Sequence, residues 1–165
     1  MTVSELNRLD RTEFIEAFGW IFEESPWVAE GAWDARPFAN LDALHAAMMG
    51  QVERATAVEQ LALLRAHPDL GTRARLSRAS AGEQAGAGLD SLTPEEFDLL
   101  LRLNGAYRSR FGFPFLLAVK GSTKHDVLLA LQERMESSPD DEYQEALRQV
   151  YRIARFRLED VIADD

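Results

Sequence analysis

The strongest constraint on the fold is an almost unbroken series of helical patterns, several of which begin at a recognisable cap. Thr93, Pro94 and Glu96 combine the spacing of a capping box with a proline at the first helical position, which is typical of a helix start. Other candidate caps are Asp10, Ser25 with Pro26 after it, Asn40, Thr56 and either Ser122 or Thr123. We therefore predict an all-α fold, a single-domain bundle of about seven to nine helices formed by residues 1–165.

The composition is that of a compact globular chain. The 165 residues are 46% hydrophobic and 28% charged, which are the proportions of an ordinary globular domain. Cysteine is absent, so disulfides, thiolate metal sites and cysteine nucleophiles are excluded. No apolar run approaches the ~20 residues of a membrane span, and the first residues lack a basic and then apolar leader. We expect a soluble protein that is neither exported nor bound to a membrane.

The net charge restricts the partners. The chain carries 28 acidic and 18 basic residues, which gives a formal net charge of -10. Binding to a phosphate backbone depends on clustered lysine and arginine, so we expect no nucleic-acid partner. The same charge repels small anions at long range, and an anionic substrate must therefore be held by local hydrogen-bond donors.

Two regions interrupt the helical patterns and are candidate walls of a site. Residues 67–89 are rich in glycine and small polar residues. Residues 111–121, FGFPFLLAVKG, contain Gly112 and Pro114, which prevent a helix from continuing. We predict a short non-helical segment here, whose amide groups either face a ligand or belong to a buried connector between two helices. Arg110, just before it, either binds a carboxylate or pairs with a neighbouring acid.

One of the three histidines lies where chemistry is expected. His67 follows an apolar helical pattern and precedes Pro68, which stops a helix, so we place its imidazole at a helix C-terminus. That position favours the charged imidazolium of a catalytic acid. A core histidine with a satisfied hydrogen bond has the same sequence pattern, so both interpretations stay open here. We expect His45 and His125 on the surface.

Ser80, Glu83 and Gln84 form a second polar group. The serine and the glutamate have the spacing of a capping box, which on its own predicts a helix start at Ser80. The same three side chains supply a hydroxyl, a carboxylate and an amide that match a heterocycle rich in N–H and C=O groups. In this second interpretation Glu83 also orients the imidazole of His67 in an acid–base pair.

We expect neither a metal nor a nucleotide cofactor. His67, Asp69 and Glu83 are rival candidates for a metal site, but no second histidine lies near them in the sequence to complete the usual set of three protein ligands. No glycine-rich phosphate loop, dinucleotide fingerprint or GxSxG elbow occurs in the sequence.

Taken together, the motifs resemble those of the OHCU decarboxylases, the 2-oxo-4-hydroxy-4-carboxy-5-ureidoimidazoline decarboxylases of urate breakdown. The resemblance is carried by HPDLG at 67–71, SAGEQAGAGL at 80–89 and LNGAYRSRFGFPFLLAVKG at 103–121. FEESPWVAEGAWDARPF at 22–38 and ALRQVYRIARFRLEDVI at 146–162 extend it over essentially the whole chain.

The resemblance implies an all-helical, cofactor-free and usually homodimeric enzyme that converts OHCU to (S)-allantoin and carbon dioxide. By position, His67 is the catalytic acid and Glu83 its partner. The residues implied to line the substrate pocket are Pro68, Ser80, Gln84, Phe115, Leu116, Leu117, Ala118 and Val119. The chain ends in ADD rather than in the peroxisomal tripeptide of some eukaryotic members, so we expect a cytoplasmic enzyme. Two alternatives stay open: a helical ligand-binding or interaction module with an idle site, and a decarboxylase of a related ureido acid.

Overall fold

Nine α-helices account for most of the part of the chain that the structure, a computed structural model, describes, namely residues 1–72 and 77–165. They are α1 Val3–Leu6, α2 Arg11–Phe18, α3 Trp27–Ala32, α4 Leu41–Arg54, α5 Ala57–Ala66, α6 Arg78–Gly86, α7 Pro94–Phe111, α8 Lys124–Arg134 and α9 Pro139–Val161. A 3-10 helix, Trp33–Ala35, follows α3. Within the described ranges no strand is formed, and no helix is long and apolar enough to cross a membrane. The all-α class and the predicted number of helices are confirmed.

Side-chain caps begin most of these helices where the sequence predicts them. The predicted caps at Asp10, Asn40, Thr56, Thr93 and Thr123 are all formed. The predicted cap at Ser25 is wrong, because the N-cap of α3 is Pro26, which forms no side-chain cap. At Thr93 the hydroxyl accepts a hydrogen bond of 3.1 Å from Glu96 N, while Glu96 Oε1 accepts one of 2.9 Å from Thr93 N. These bonds satisfy amide groups that have no partner inside the helix, and a cap of this kind typically contributes about 1 kcal/mol.

The chain forms two compact units. Unit 1 comprises Met1–Ala66 and Tyr151–Asp165, and unit 2 comprises His67–Val150. Every residue predicted to form the site belongs to unit 2. The predicted domain boundaries, 1–165, stay a prediction.

Unit 1 has an aromatic core and a buried ion pair. Phe14 and Phe18 of α2 lie 5.0 Å apart between ring centroids, and both are buried. Arg157 Nη2 lies 2.9 Å from Glu23 Oε2, and the same guanidinium donates to the carbonyl oxygen of Ile21 at 3.2 Å. Because removing one partner of such a pair leaves an uncompensated buried charge, unit 1 depends on both residues.

Unit 2 contains the non-helical segment. Helix α7 ends at Phe111 and is followed by Gly112, whose φ of 81° lies in the left-handed region that favours glycine. The chain then continues without helix to Thr123, the N-cap of α8. Tyr107 of α7 packs against Phe115 of this segment, with ring centroids 5.4 Å apart and an interplanar angle of 78°. The non-helical segment predicted near 111–121 is therefore confirmed, and it is anchored to the helix that precedes it.

Candidate active site

His67 lies directly after α5, which ends at Ala66. The helix stops there because a proline disfavours helical backbone in the residue before it, and Pro68 is that proline. His67 is buried, with 6% of its surface exposed, and Pro68 is half-buried. The predicted position of His67 at a helix C-terminus is confirmed.

The other two histidines differ from each other. His125 is exposed, as predicted. The prediction of a surface position is wrong for His45, which is half-buried and whose Nε2 lies 2.8 Å from the carbonyl oxygen of Tyr151. A carbonyl oxygen only accepts, so Nε2 carries the ring proton. Burial lowers the pKa of His45 below its ordinary value.

A buried hydrogen bond joins the loop after His67 to helix α6. Gly71 N donates to Gln84 Oε1 at 2.9 Å. This bond identifies the oxygen of the Gln84 amide, since a backbone N–H requires an acceptor. No described residue accepts a hydrogen bond from Gln84 Nε2. The NH2 group of Gln84 is therefore the end that can donate to a ligand.

Helix α7 holds the same loop through two further contacts. Asn104 Nδ2 donates to the carbonyl oxygen of Leu70 at 2.9 Å, and Asn104 is buried. Arg108 Nη2 donates to Asp69 Oδ1 at 2.8 Å. Two helices thus position the loop whose first residue is His67. The rival metal interpretation loses support, because the carboxylate of Asp69 is engaged by an arginine.

Helix α6 presents the second polar group, but it begins earlier than predicted. Its N-cap is Ser77, whose Oγ accepts a hydrogen bond of 3.1 Å from Ser80 N. The interpretation of Ser80 as the helix start is therefore wrong, and Ser80 lies in the first turn. Ser80, Glu83 and Gln84 are three and four residues apart, so they share one face of the helix. Ser80 and Gln84 are each 6% exposed and Glu83 is half-buried.

The non-helical segment is held along one edge by side chains of unit 2. The carbonyl oxygen of Leu116 accepts a hydrogen bond from Arg134 of α8. Ala118 N donates to Gln149 Oε1 of α9 at 3.0 Å. The expectation that amides of this segment face a ligand therefore fails for Ala118, whose N–H is already used within the protein.

Other amides of the segment are not used by these two contacts. Leu117 and Val119 alternate along the chain with Leu116 and Ala118, whose polar groups contact Arg134 and Gln149. Among the residues that the structure describes, none accepts a hydrogen bond from Leu117 N or Val119 N. Leu117 is half-buried, whereas the other residues of 113–119 are buried. The amides of Leu117 and Val119 are therefore among the donors of this segment that a ligand can use.

A small cavity lies beside these residues rather than among them. Its volume is about 60 Å³, and it is lined by Asp69, Leu70, Gly71, Thr72, Phe97, Leu100, Leu101 and Asn104. Asn104 Oδ1 is buried and has no hydrogen-bond partner within the described ranges. None of the residues predicted to touch substrate lines this cavity. It belongs to the packing of the loop against α7.

Sequence reasoning did not assign roles to Asn104, Arg134, Glu142 and Gln149. Asn104 lies on the α7 face that also carries Leu100 and Tyr107, both buried. A polar residue at a core position of a helix is the signal that could have identified it, since a buried amide needs partners. The pairing of His67 with Glu83 stays a prediction.

Comparison with known proteins points to one enzyme family. The family model described as OHCU decarboxylase matches residues 7–159. The chain is 48% identical over 158 residues to the 2-oxo-4-hydroxy-4-carboxy-5-ureidoimidazoline decarboxylase of Haloferax volcanii, across 96% of this chain and 94% of that protein. It is 47% identical to the uric acid degradation bifunctional protein PucL of Bacillus subtilis, across 99% of this chain and 33% of that protein. The crystal structure of (S)-allantoin synthase is similar with a TM-score of 0.81 at 37% identity, across 98% of this chain and 54% of that chain.

Proposed function

Because the chain belongs to the OHCU decarboxylase family, we propose that it removes carbon dioxide from OHCU and forms (S)-allantoin, as a step of urate breakdown. The observation that carries this proposal is the buried hydrogen bond between Gly71 N and Gln84 Oε1. It joins the loop of His67 to the helix of Glu83 within one compact unit. The two motifs that the chemistry needs are thereby brought into one neighbourhood.

The reaction requires positioning and one proton. When the bond to the carboxylate breaks, carbon dioxide leaves and its bonding electron pair passes into the ring, where the C=N group accepts it. A proton then adds on one face to the ring carbon that bears the ureido group, while the hydroxyl on the neighbouring carbon loses its proton and becomes a carbonyl, which gives a single enantiomer of allantoin. The substrate supplies its own electron sink, so the step needs no cofactor. The protein has to hold the ring, stabilise the developing charge and direct the proton.

His67 is the residue to which we assign the proton. His67 directly follows the last residue of α5 in the chain, and a helix C-terminus favours the charged form of an imidazole beside it. A carboxylate near an imidazole also stabilises its charged form and fixes its orientation. Glu83 takes that role, from its half-buried position on α6.

Local donors hold the substrate against an unfavourable overall charge. The net charge of -10 repels an anion at long range, so short-range hydrogen bonds have to compensate. Gln84 Nε2 and the amides of Leu117 and Val119 supply donors to the carbonyl groups of the ring. The other residues that we assign to the pocket wall are Pro68, Ser80, Phe115, Leu116 and Ala118. All of these except Pro68 are buried.

Three further properties belong to the same proposal. The enzyme acts without a cofactor, forms a homodimer and resides in the cytoplasm. Elemental analysis of the active protein, its mass in solution and fractionation of the source cells test these properties one by one. Each rests on the family resemblance rather than on a contact in this chain.

The test is to generate OHCU in situ with the purified protein present and to follow the circular dichroism of allantoin. We expect faster formation of allantoin and an excess of the (S) enantiomer. Allantoin that forms no faster than without protein, or only as a racemate, contradicts the proposal. Binding of OHCU without turnover indicates the idle module, and turnover of only a related ureido acid indicates the other decarboxylase.

A further inference from the structure

Tyr107, Arg134 and Glu142 form a buried polar cluster in unit 2, contributed by α7, α8 and α9 respectively. Tyr107 is 0% exposed and Glu142 is 1% exposed. Tyr107 Oη donates to Glu142 Oε1, and Arg134 Nε donates to the same oxygen at 2.7 Å. Burial raises the pKa of Tyr107, so its phenol stays a hydrogen-bond donor. The cluster fixes the guanidinium of Arg134 between three helices.

Arg134 connects this cluster to the non-helical segment. Its Nη1 donates to the carbonyl oxygen of Leu116. Its guanidinium carbon also lies 4.5 Å from the centroid of the Phe115 ring, which is the geometry of a cation–π contact. The Arg134 side chain therefore contacts both the backbone carbonyl of Leu116 and the aromatic ring of Phe115, the preceding residue.

Gln149 completes the attachment of the same edge. Its Oε1 accepts from Ala118 N, while its Nε2 donates to Glu145 Oε1 at 2.8 Å. Leu116 and Ala118 are two residues apart, so their polar groups point to the same edge of an extended chain. Leu117 lies between these two attached residues, and its N–H has no acceptor among the residues that the structure describes.

We propose that Arg134 is a positioning residue that selects which backbone groups of 115–119 face the substrate. The inference rests on the proposed function and deepens it. Apolar side chains would fill the same volume, but only a planar fork of donors reaches the Leu116 carbonyl and Glu142 Oε1 together. The N–H and C=O of Leu117 then form an adjacent donor and acceptor, which complement the N–H and C=O of a ureide ring.

Arg134→Lys is the informative variant, because lysine keeps the charge beside Glu142 and loses the fork. We expect KM for OHCU to rise about tenfold, since residues 115–119 lose the charge-assisted hydrogen bond that Arg134 donates to the Leu116 carbonyl. We also expect the enantiomeric excess of (S)-allantoin to fall. If the backbone groups of 115–119 no longer have fixed positions, they hold the substrate ring in more than one orientation. Arg102→Lys, the same change at an exposed position of α7, is the control and should leave both values unchanged.

Gln149→Leu is a second variant that weakens the attachment of residues 115–119. It frees Ala118 N while the cluster of Tyr107, Arg134 and Glu142 stays intact, and it should likewise raise KM and lower the enantiomeric excess. A purely structural role predicts a lower melting temperature with the KM and stereochemistry of the parent protein in the folded fraction. That result in both variants, or in Gln149→Leu alone if Arg134→Lys does not fold, overturns the inference. Failure of the proposed function is distinct, because the parent protein itself would then not turn over OHCU.

Discussion

Gly71 N and Gln84 Oε1 form a buried hydrogen bond of 2.9 Å, which joins the loop after His67 to helix α6. The carbonyl end of the Gln84 amide thus stabilises the loop, and the NH2 end is the one we assign to substrate. Replacing the carbonyl end of the Gln84 amide and replacing its NH2 end should therefore have different effects. Substitutions at this one position can therefore separate positioning from substrate binding.

Gln84→Leu and Gln84→Glu test this division. Leucine leaves the buried Gly71 N–H without an acceptor, and we expect the free energy of unfolding to fall by about 1–3 kcal/mol. Glutamate keeps an acceptor for Gly71 but removes the donor, so it should retain more stability than leucine while raising KM for OHCU. Urea unfolding and steady-state kinetics measure the two effects. A glutamate variant with the KM of the parent protein contradicts the assignment of the NH2 group.

Asn104→Leu tests the attachment of the same loop to α7. The change removes the donor to the Leu70 carbonyl, and an unsatisfied buried carbonyl costs about 1–3 kcal/mol. We expect a lower free energy of unfolding and a reduced kcat/KM, because the position of His67 depends on this loop. Arg102→Ala is a suitable control, since Arg102 is exposed on the same helix. An Asn104→Leu variant as stable as this control shows that the bond to Leu70 does not hold the loop.

His45 gives a prediction about pH. Burial holds its pKa below the ordinary value, so between the folded and the ordinary pKa the unfolded chain binds more protons than the folded chain. Stability therefore decreases as the pH falls through the ordinary histidine range of about 6.5 and levels off below the folded pKa. Melting temperatures of the protein and of His45→Gln, measured from pH 8 downward, should converge as the pH falls. If the melting temperatures of the two proteins stay parallel as the pH falls, His45 does not contribute to the loss of stability.

Much of the fold could be predicted because helix starts are local. Thr93 and Glu96 cap α7 through residues three positions apart, so the sequence alone contains the whole interaction. Ser77 and Ser80 show the limit of this reasoning. Both serines can cap a helix, and the start at Ser77 is the one that buries Ser80 and Gln84 on one face of α6.

The site was predictable only in its local parts. His67 at a helix end follows from Pro68, and the non-helical segment follows from Gly112 and Pro114. The contacts that position these parts join distant residues, such as Gln149 to Ala118, 31 positions apart in the sequence. No local pattern encodes such a pair, since the partner of a buried polar group is chosen by packing.

The proton from His67 is the central claim, and turnover of OHCU by His67→Asn tests it most directly. We expect kcat to fall by about 10² to 10⁴, which is the usual contribution of a positioned general acid. The residual allantoin should be close to racemic, because the proton then comes from solvent on either face. His125→Asn is the control, since that side chain is 76% exposed and should leave rate and stereochemistry unchanged. A folded His67→Asn protein that still forms (S)-allantoin at the rate of the parent protein would contradict the account.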